Sequence, residues 1–462
     1  MLFSGVPFLF YFLPCVLLIY FVVPRRGRNA VLLASGLFFY GWGEPRYLLF
    51  MVFSIAQGYG FARLIERGRR KKLFLSLSVA LSFALLGYCK YADFFIANFN
   101  AVTGLSLPLL KVALPIGISF YMFQIVSYEI DVYRGDVAAE RNFIDFAAYV
   151  AMFPQLIAGP IVRYRDIAPR LRERTVSLNG AAAGASRFAV GLAKKVLIAN
   201  TLSQLVGAYK ASAEPTVLYA WLYALAFTLQ IYFDFSGYSD MAIGLGRILG
   251  FTFPENFAYP YAAKSITEFW RRWHISLGRW FRDYLYIPLG GKCVSRARHI
   301  FNILLVWMAT GFWHGAAWNF ILWGLYFALL LIAEKTVLLP VLQRGRVLPH
   351  IYTFLAVMFG FLLFDAASLS DAAQQFTRLF GAGTAVCGVE TVYILKSYAV
   401  ILALAALGAT PLPALVLKRV QTSERLAPLA AVAAPLATVA LLVFCTAYLV
   451  DGSFNPFLYF RF

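Results

Sequence analysis

The sequence has few charged residues, and this scarcity excludes an ordinary soluble protein. Only 14% of its 462 residues are charged, well below the roughly 25% that is usual in soluble domains. Apolar runs of about 20 residues recur along the chain, and such runs indicate helices that cross a membrane. We therefore expect an all-α polytopic membrane protein with one membrane-embedded domain, 1–462.

Cysteine is also scarce, with five residues scattered over the whole chain. None has the spacing of a metal site, and no disulfide framework is visible. We therefore expect no metal and no permanently bound cofactor. The first apolar run, 8–23, has no basic segment before it and no small-residue cleavage site, so it is predicted to remain as a helix rather than to be cleaved as a signal.

Acidic residues are few: 22 Asp and Glu stand against 41 Lys and Arg, a net charge of +19. Excess basic charge can indicate nucleic-acid binding. Here the basic residues lie in short loops between apolar runs, the pattern of cytoplasmic loops, which argues for the lipid bilayer and against nucleic acid. Arg25, Arg26 and Arg28 follow the first span, and Lys418 and Arg419 precede the last. We therefore expect a multi-pass membrane protein with both termini outside the cytoplasm.

The apolar runs predict roughly ten to twelve transmembrane or re-entrant helices. We divide the chain into N-terminal spans (1–110), a core (111–335) with a cytoplasmic amphipathic segment (251–299), C-terminal spans (336–450) and a tail outside the cytoplasm (451–462).

Proline and glycine interrupt two runs of the core. Pro115 and Gly117 are expected to kink the span 112–130. Pro154 and Pro160 predict a re-entrant helix pair within 143–161, with a single kinked span as the alternative.

Apolar residues recur at three- and four-residue steps within the amphipathic segment: Phe269, Trp273, Leu277, Trp280 and Tyr284. This spacing predicts one amphipathic helix on the cytoplasmic surface. His274 lies on it, and a surface histidine without a special role is the plain alternative. The turn 289–292 that follows contains two glycines, whose backbone amides are candidates to bind an anion.

Two clusters of polar residues interrupt the apolar runs. His314 lies in the sequence Thr-Gly-Phe-Trp-His-Gly (310–315), within the run 301–333. Burying an ionisable ring at membrane depth costs free energy, so a functional role for His314 is a reasonable hypothesis. An equal alternative is a structural histidine that is hydrogen-bonded inside a helix bundle. The second cluster follows the span 217–235, and we interpret its members first as structural polar contacts: Asp234, Ser236, Tyr238 and Asp240.

Four blocks together resemble the membrane-bound O-acyltransferase family, in particular its bacterial branch that acetylates alginate and other polysaccharides. The blocks are QIYFDFSGYSD (230–240), FWRRWHIS (269–276), FRDYLYIPLGG (281–291) and GFWHG (311–315). The resemblance implies helices around a central funnel, acetyl-CoA as cytoplasmic donor, and a periplasmic partner of the SGNH hydrolase type that modifies the polymer. It further implies the bacterial inner membrane as the location, so that both termini and the tail 451–462 would be periplasmic. It also implies that the near-invariant histidine of the family is His314 and that its second polar position is His274.

A thioester donor is already activated, so the protein needs a base and charge stabilisation rather than a nucleophile of its own. His314 is the predicted base, and His274 is expected to orient the donor or to stabilise the oxyanion. The candidate substrate contacts are Trp313, Asp234, Tyr238 and, for the CoA phosphates, Arg271, Arg272, Arg279 and Lys292. For each basic residue the alternative is ordinary attraction to lipid headgroups.

The tail Phe457-Leu-Tyr-Phe460 resembles the C-terminal aromatic motif of the polymer-modifying branch. That resemblance makes Tyr459 a candidate acyl carrier, with an interfacial aromatic anchor as the alternative. Two other classes fit the composition: a transporter or flippase for a lipid-linked sugar, and a non-catalytic scaffold of an exopolysaccharide export complex. Both would tolerate a change at His314, which an acyltransferase would not.

Overall fold

The computed structural model describes residues 1–43, 45–157, 159–342, 344–381 and 384–452. Within these ranges every regular element is helical and no strand is present. The first α-helices are α1 (Leu13–Val22), α2 (Arg28–Gly41), α3 (Leu48–Arg67), α4 (Lys71–Leu86), α5 (Ala92–Thr103), α6 (Ile118–Arg134), α7 (Phe143–Ala151), α8 (Phe153–Leu156), α9 (Tyr164–Arg172), α10 (Leu178–Ala193) and α11 (Asn200–Ala211). The others are α12 (Val217–Ile248), α13 (Ile266–Arg272), α14 (Ile275–Phe281), α15 (Arg296–His314), α16 (Trp318–Ala333), α17 (Leu339–Leu342), α18 (Leu348–Asp365), α19 (Leu369–Leu379), α20 (Val389–Gly408), α21 (Leu412–Thr422) and α22 (Ala427–Asp451).

Seven of the described helices are long and apolar enough to cross a membrane: Pro45–Arg67, Lys71–Thr103, Val217–Ile248, Trp318–Leu342, Leu348–Asp365, Val389–Gly408 and Ala427–Asp451. Two of these spans, Lys71–Thr103 and Trp318–Leu342, run through π turns that join successive α-helices without a break. Among the described residues, one shorter apolar helix, Phe8–Val22, accompanies them. The predicted class, an all-α polytopic membrane protein, is confirmed.

By its internal contacts the chain forms two compact units. The first comprises Met1–Ala185 and Met241–Pro254, and the second comprises Ser186–Asp240 and the described residues from Glu255 onward. The four-part division drawn from the sequence stays a prediction.

In the first unit, α3, α4 and α6 pack around a buried carboxyl group, that of Glu129. Ser78 Oγ donates to Glu129 Oε1 at 2.5 Å, and Gln57 Nε2 donates to the same oxygen at 3.3 Å. A polar group inside an apolar bundle is tolerated when it is hydrogen-bonded. These bonds therefore fix the three helices against one another.

Helix α6 begins later than the sequence predicts. Gly117 has a φ of 74° and precedes the first helical residue, Ile118. A Cβ at Gly117 would lie 2.6 Å from the carbonyl oxygen of Leu156, so this position requires glycine. Pro115 also lies before the helix, and the expected kink within 112–130 is therefore wrong.

The range 143–161 is interrupted, as expected. Helices α7 and α8 are separated at Met152, whose ψ is 108°. The nine residues of α7 rise about 14 Å, less than half of a hydrocarbon core of about 30 Å. This length favours the re-entrant interpretation over a single kinked span.

In the second unit, ion pairs fix the polar residues 234–240 in the second half of α12. The Asp234 carboxylate lies 2.6 Å from Lys195 Nζ, and both side chains are 3% exposed. Asp240 pairs with Lys194 at 2.6 Å and with Arg187 at 2.8 Å. Because loss of one partner would leave an uncompensated buried charge, these contacts support the structural interpretation of this cluster.

The amphipathic segment is not one continuous helix. Helix α13 ends at Arg272 and α14 begins at Ile275, so the chain is broken at Trp273 and His274. The five apolar residues that predicted the helix are nonetheless all buried. The apolar face was therefore predicted correctly, and the single surface helix is wrong.

Candidate active site

Helices α15 and α16 form a hairpin whose backbones are in close contact. A Cβ at Gly311 would lie 2.2 Å from the carbonyl oxygen of Phe320, and one at Gly324 would lie 2.3 Å from that of Trp307. Only glycine permits this approach. The backbone becomes extended at Gly315, so α15 ends at His314. The hairpin thus places the imidazole of His314 on the last turn of a helix held in a fixed position.

His314 lies among aromatic rings and is 9% exposed. The centroid of its ring is 4.9 Å from that of Trp313, 5.1 Å from that of Trp323 and 5.2 Å from that of Phe364. Such an enclosure keeps bulk water away, and electrostatic interactions are stronger where water is excluded.

His274 occupies the break between α13 and α14, where it is 2% exposed. Its φ of 44° and ψ of 52° are left-handed, a conformation that costs a residue other than glycine about 1–3 kcal/mol. The neighbouring backbone holds it in place, because Ile275 N donates to Asn256 O at 3.0 Å. The interpretation of His274 as a surface histidine is therefore wrong.

Asn256 sets the tautomer of His274. The backbone N–H of Ser276 donates to Asn256 Oδ1 at 3.2 Å, which identifies the amide oxygen. His274 Nδ1 lies 3.2 Å from the same oxygen, so Nδ1 carries the proton and Nε2 carries the lone pair. Burial lowers the pKa of His274 to about 3, which leaves the ring neutral at pH 7. Nε2 is buried and makes no hydrogen bond within the described part of the chain.

Trp313 lies between the two histidines. Its ring centroid is 6.2 Å from that of His274, and its other neighbour is His314. Phe235 covers His274 from another side, with centroids 4.7 Å apart. The structure therefore brings together two histidines that the sequence keeps in separate blocks.

A cavity of about 540 Å³ opens beside His274, a volume typical of small-molecule sites. Trp270 and Trp307 form an apolar wall, with centroids 4.7 Å apart. Thr310 also lines the cavity, and it lies one helical turn, about 6 Å, before His314. The rim carries four basic side chains: Arg271, Arg279, Arg282 and Lys335.

A carboxylate ties α16 to the segment that carries His274. Glu334 follows α16 and is fully buried. It accepts hydrogen bonds from Ile266 N at 2.5 Å, Thr267 N at 2.9 Å and Thr267 Oγ1 at 2.7 Å. A carboxylate at these amides satisfies the orphan donors in the first turn of α13.

Residues 117–345 match the family model of the membrane-bound O-acyltransferases. The chain is 45% identical over 392 residues to a probable alginate O-acetylase of Azotobacter vinelandii, covering 83% of this chain and 79% of the relative. The chain belongs to the membrane-bound O-acyltransferase family. A peptidoglycan O-acetyltransferase of Helicobacter pylori is 33% identical over 428 residues, covering 84% of this chain and 81% of that protein. A teichoic acid D-alanyltransferase of Bacillus subtilis is 29% identical over 269 residues, with coverages of 54% and 68%.

The acyltransferase brings some of the predicted substrate contacts together and separates others. Arg271 and Arg279 line the cavity, as does His274. Arg272 is instead paired with Glu268 at 2.5 Å. The remaining candidates lie outside the cavity lining: Lys292 is exposed, whereas Trp313, Asp234 and Tyr238 are buried. His314 is also outside the lining, one helical turn beyond Thr310.

The turn 289–292 of the acyltransferase does not present an anion site. Gly290 N donates to the carbonyl of Ile287 at 2.9 Å, and Gly291 N donates to that of Tyr286 at 2.9 Å. Because these amides are satisfied within the turn, the expected anion-binding role for them is wrong. Tyr459 lies outside the described residues.

Sequence reasoning missed Asn256, Arg282 and Lys335 as members of the acyltransferase site. Asn256 follows α12 in an irregular segment, without a spacing that would connect it to His274. Lys335 comes directly after α16. The position of Lys335 could have been predicted in principle. In a hairpin of two antiparallel helices, the end of the second helix lies beside the start of the first.

Proposed function

We propose that this acyltransferase moves an acyl group from cytoplasmic acyl-CoA across the inner membrane for O-acylation of an extracytoplasmic polysaccharide. The acyl group that we propose is acetyl. The observation that carries the proposal is the cavity beside His274. The cavity combines an apolar wall, a buried imidazole and a cationic rim. An acyl-CoA has a thioester at one end and phosphates at the other, and such a donor requires these features together. Arginine and lysine bind phosphate through charge-assisted hydrogen bonds.

His314 acts as the general base in this proposal. Its imidazole takes the proton of an acceptor hydroxyl while that oxygen attacks the thioester carbonyl carbon. The tetrahedral intermediate collapses, the C–S bond breaks, and the CoA thiolate leaves and recovers the proton. The new C–O bond holds the acyl group, and the histidine returns to its neutral form. Its place at the end of the glycine hairpin supports this role, because a base must be held at a fixed distance from the reacting oxygen.

His274 orients a reactant. With the proton on Nδ1, its Nε2 accepts a hydrogen bond and donates none. That tautomer favours an orienting role over stabilisation of an oxyanion, which needs a donor. The left-handed backbone and the Asn256 contact hold the lone pair in one direction.

Replacing Arg279 tests the donor half of the proposal. Arg279 is exposed on the rim and makes no ion pair among the residues described. We expect Arg279→Gln to raise the KM for acetyl-CoA about tenfold with little change in kcat, because a phosphate contact made throughout the reaction is lost. The measurement is the rate of CoA release from acetyl-CoA by purified protein in nanodiscs.

Arg272→Gln is the matched control for Arg279→Gln. Arg272 is seven residues away in the same segment, but its guanidinium is bound to Glu268 outside the cavity lining. Its loss should leave the KM within twofold or so of wild type. An equal rise in KM for both variants would show that diffuse surface charge, and not the rim, attracts the donor.

The proposed polymer is inferred from the relatives of this chain. Those named as alginate and peptidoglycan O-acetyltransferases support acetyl as the acyl group and a polysaccharide as the acceptor. Alginate is the acceptor that we propose, through a periplasmic SGNH hydrolase-like partner that receives the acyl group. Membership of an acyltransferase family weighs against the transporter and scaffold alternatives.

The proposed relay runs through Tyr459, on the periplasmic side. The Tyr459 hydroxyl would attack the thioester carbonyl under His314 catalysis, and the resulting ester would then pass the acyl group to the partner. We expect radiolabel from acetyl-CoA to remain covalently on wild-type protein and to be absent from Tyr459→Phe. Tyr448→Phe is the control, since Tyr448 is an exposed tyrosine near the end of α22. Full acetyl transfer by Tyr459→Phe would exclude the relay and leave direct transfer as the route.

A further inference from the structure

A cavity of about 790 Å³ in the first unit collects positive charge from two segments that are far apart in sequence. One segment is the turn before α2, and the other is the end of α9 with the residues after it. Asp145 and Glu173 also line the cavity, so the formal charge of the lining is 6 − 2 = +4. Its arginines are Arg25, Arg26, Arg28, Arg170, Arg172 and Arg174.

Asn29 holds the two segments together. Its Nδ2 donates to Asp145 Oδ1 at 2.7 Å and to Leu171 O at 2.8 Å, and its Oδ1 accepts from Arg174 Nη1 at 2.7 Å. The Asn29 side chain is buried. The arginines therefore converge because the backbone is fixed there.

Several of these guanidinium groups have hydrogen bonds left to make. Arg25 and Arg26 are exposed, and neither forms an ion pair with a described residue. Arg28 Nε and Arg174 Nη2 are buried and make no hydrogen bond within the described chain. A buried N–H without a partner is costly, and phosphate oxygens are the acceptors that suit a guanidinium best.

An apolar groove of about 900 Å³ begins at the same turn. Val23, Gly27 and Ala30 line its near end, and the groove then follows α1 and α2 to Phe38 and Trp42. The 14 residues of α2 rise about 21 Å, more than half the thickness of a hydrocarbon core of about 30 Å. The groove is therefore long enough for an acyl chain that spans one leaflet.

We propose that the turn 23–30 is the headgroup end of a specific site for an anionic phospholipid. The phosphate binds in the arginine cavity, and one acyl chain lies in the groove between α1 and α2. The charge of +4 selects an anionic over a zwitterionic headgroup. A free phosphate would use the cavity alone, whereas a lipid uses both features, and their meeting at one turn favours the lipid.

The test is lipid binding to the purified full-length chain after delipidation in detergent, followed by native mass spectrometry. We expect one phosphatidylglycerol to bind more tightly than phosphatidylcholine. Arg25→Gln with Arg26→Gln should weaken phosphatidylglycerol binding about fivefold for each charge removed. The matched control is Arg69→Gln with Arg70→Gln, because both residues are exposed in the same unit and lie outside the two linings.

The groove has its own pair of variants, which do not depend on the arginines. Ala34 is exposed and lines the groove, so Ala34→Trp should obstruct the acyl chain and weaken binding. Leu18 is 69% exposed on α1 and outside the lining, so Leu18→Trp should leave binding unchanged. All of these side chains are at the surface, and the thermal midpoint of each variant in detergent checks that it is folded.

Three results would overturn the proposal. Equal weakening by the Arg69 and Arg70 changes would show attraction to diffuse surface charge. Equal binding of phosphatidylcholine would remove the role of headgroup charge. Displacement of the lipid by inorganic phosphate, together with normal binding to Ala34→Trp, would assign the cavity to a free phosphate.

Discussion

His314→Ala should lower acetyl transfer from acetyl-CoA by about 10²- to 10⁴-fold, the usual contribution of a positioned general base. In the proposed mechanism the loss should appear in kcat, because His314 takes the proton during the chemical step, whereas the donor is bound by the rim of the cavity. His314→Gln should be equally inactive, since an amide keeps polarity and approximate size but takes up no proton. The measurement is the release of CoA and the transfer of label by purified protein in nanodiscs, with the periplasmic partner and acceptor present.

The chain supplies two control histidines, because it has four in all. His299 Nε2 lies 2.9 Å from the hydroxyl of Tyr286. His299 and His350 are half-buried in the first turns of α15 and α18, whereas His314 is buried at the last residue of α15. His299→Ala and His350→Ala should retain most of the activity. Normal transfer by His314→Gln would mean that the residue only packs, and the general-base role would then be wrong. Absence of CoA release from every form, wild type included, would support the transporter alternative.

Gly324→Ala should destabilise the protein markedly although it adds only one methyl group. The new Cβ would lie 2.3 Å from the carbonyl oxygen of Trp307 and close to Gly311, and a backbone cannot move aside as a flexible side chain can. Overpacking of this kind costs about 1–3 kcal/mol or more. Because the separated helices would also displace His314, we expect a lower thermal midpoint in detergent together with a loss of transfer.

Gly207→Ala is the matched control for this change. Gly207 lies within α11, and a Cβ there would meet nothing within 4 Å. Alanine at such a position should be neutral or stabilise the helix by about 0.5–1 kcal/mol. Equal midpoints for Gly324→Ala and Gly207→Ala would show that α15 and α16 can separate without cost.

The sequence predicted the class of fold and singled out His314 because those signals are local, whereas it singled out His274 only through the family resemblance. Long apolar runs mark membrane helices at any position in the chain, and a histidine inside such a run is conspicuous by its cost. The membrane path and the roles of the histidines remain predictions. The structure adds mainly the residues that surround the two histidines.

The break at His274 was hidden from sequence reasoning for a physical reason. Two short helices with a bend between them can bury the same side chains as one long amphipathic helix. The spacing of Phe269, Trp273 and Leu277 therefore could not distinguish the two. The left-handed backbone at His274 depends on contacts with Asn256, and a contact between distant segments leaves no periodic trace in the sequence.

The same limitation applies to the rim and to the turn 289–292. Lys335 reaches the cavity because α16 returns antiparallel to α15, which is a matter of tertiary packing. The glycine pair at 290 and 291 has the composition of an anion-binding turn, but its amides are already occupied by local carbonyls. Composition indicates that a backbone can turn, and only the structure shows where its hydrogen bonds go.

The buried carboxylate of Glu334 has a mechanical consequence for the reaction. It fastens the helix that backs His314 to the first turn of the helix that leads to His274, so the two imidazoles belong to one rigid frame. A frame of this kind keeps its geometry while reactants come and go. In the proposed reaction, the parts that move during a turnover are then the thioester donor and the long, flexible side chains of the rim. These side chains would have to let the thioester in and the free thiol out.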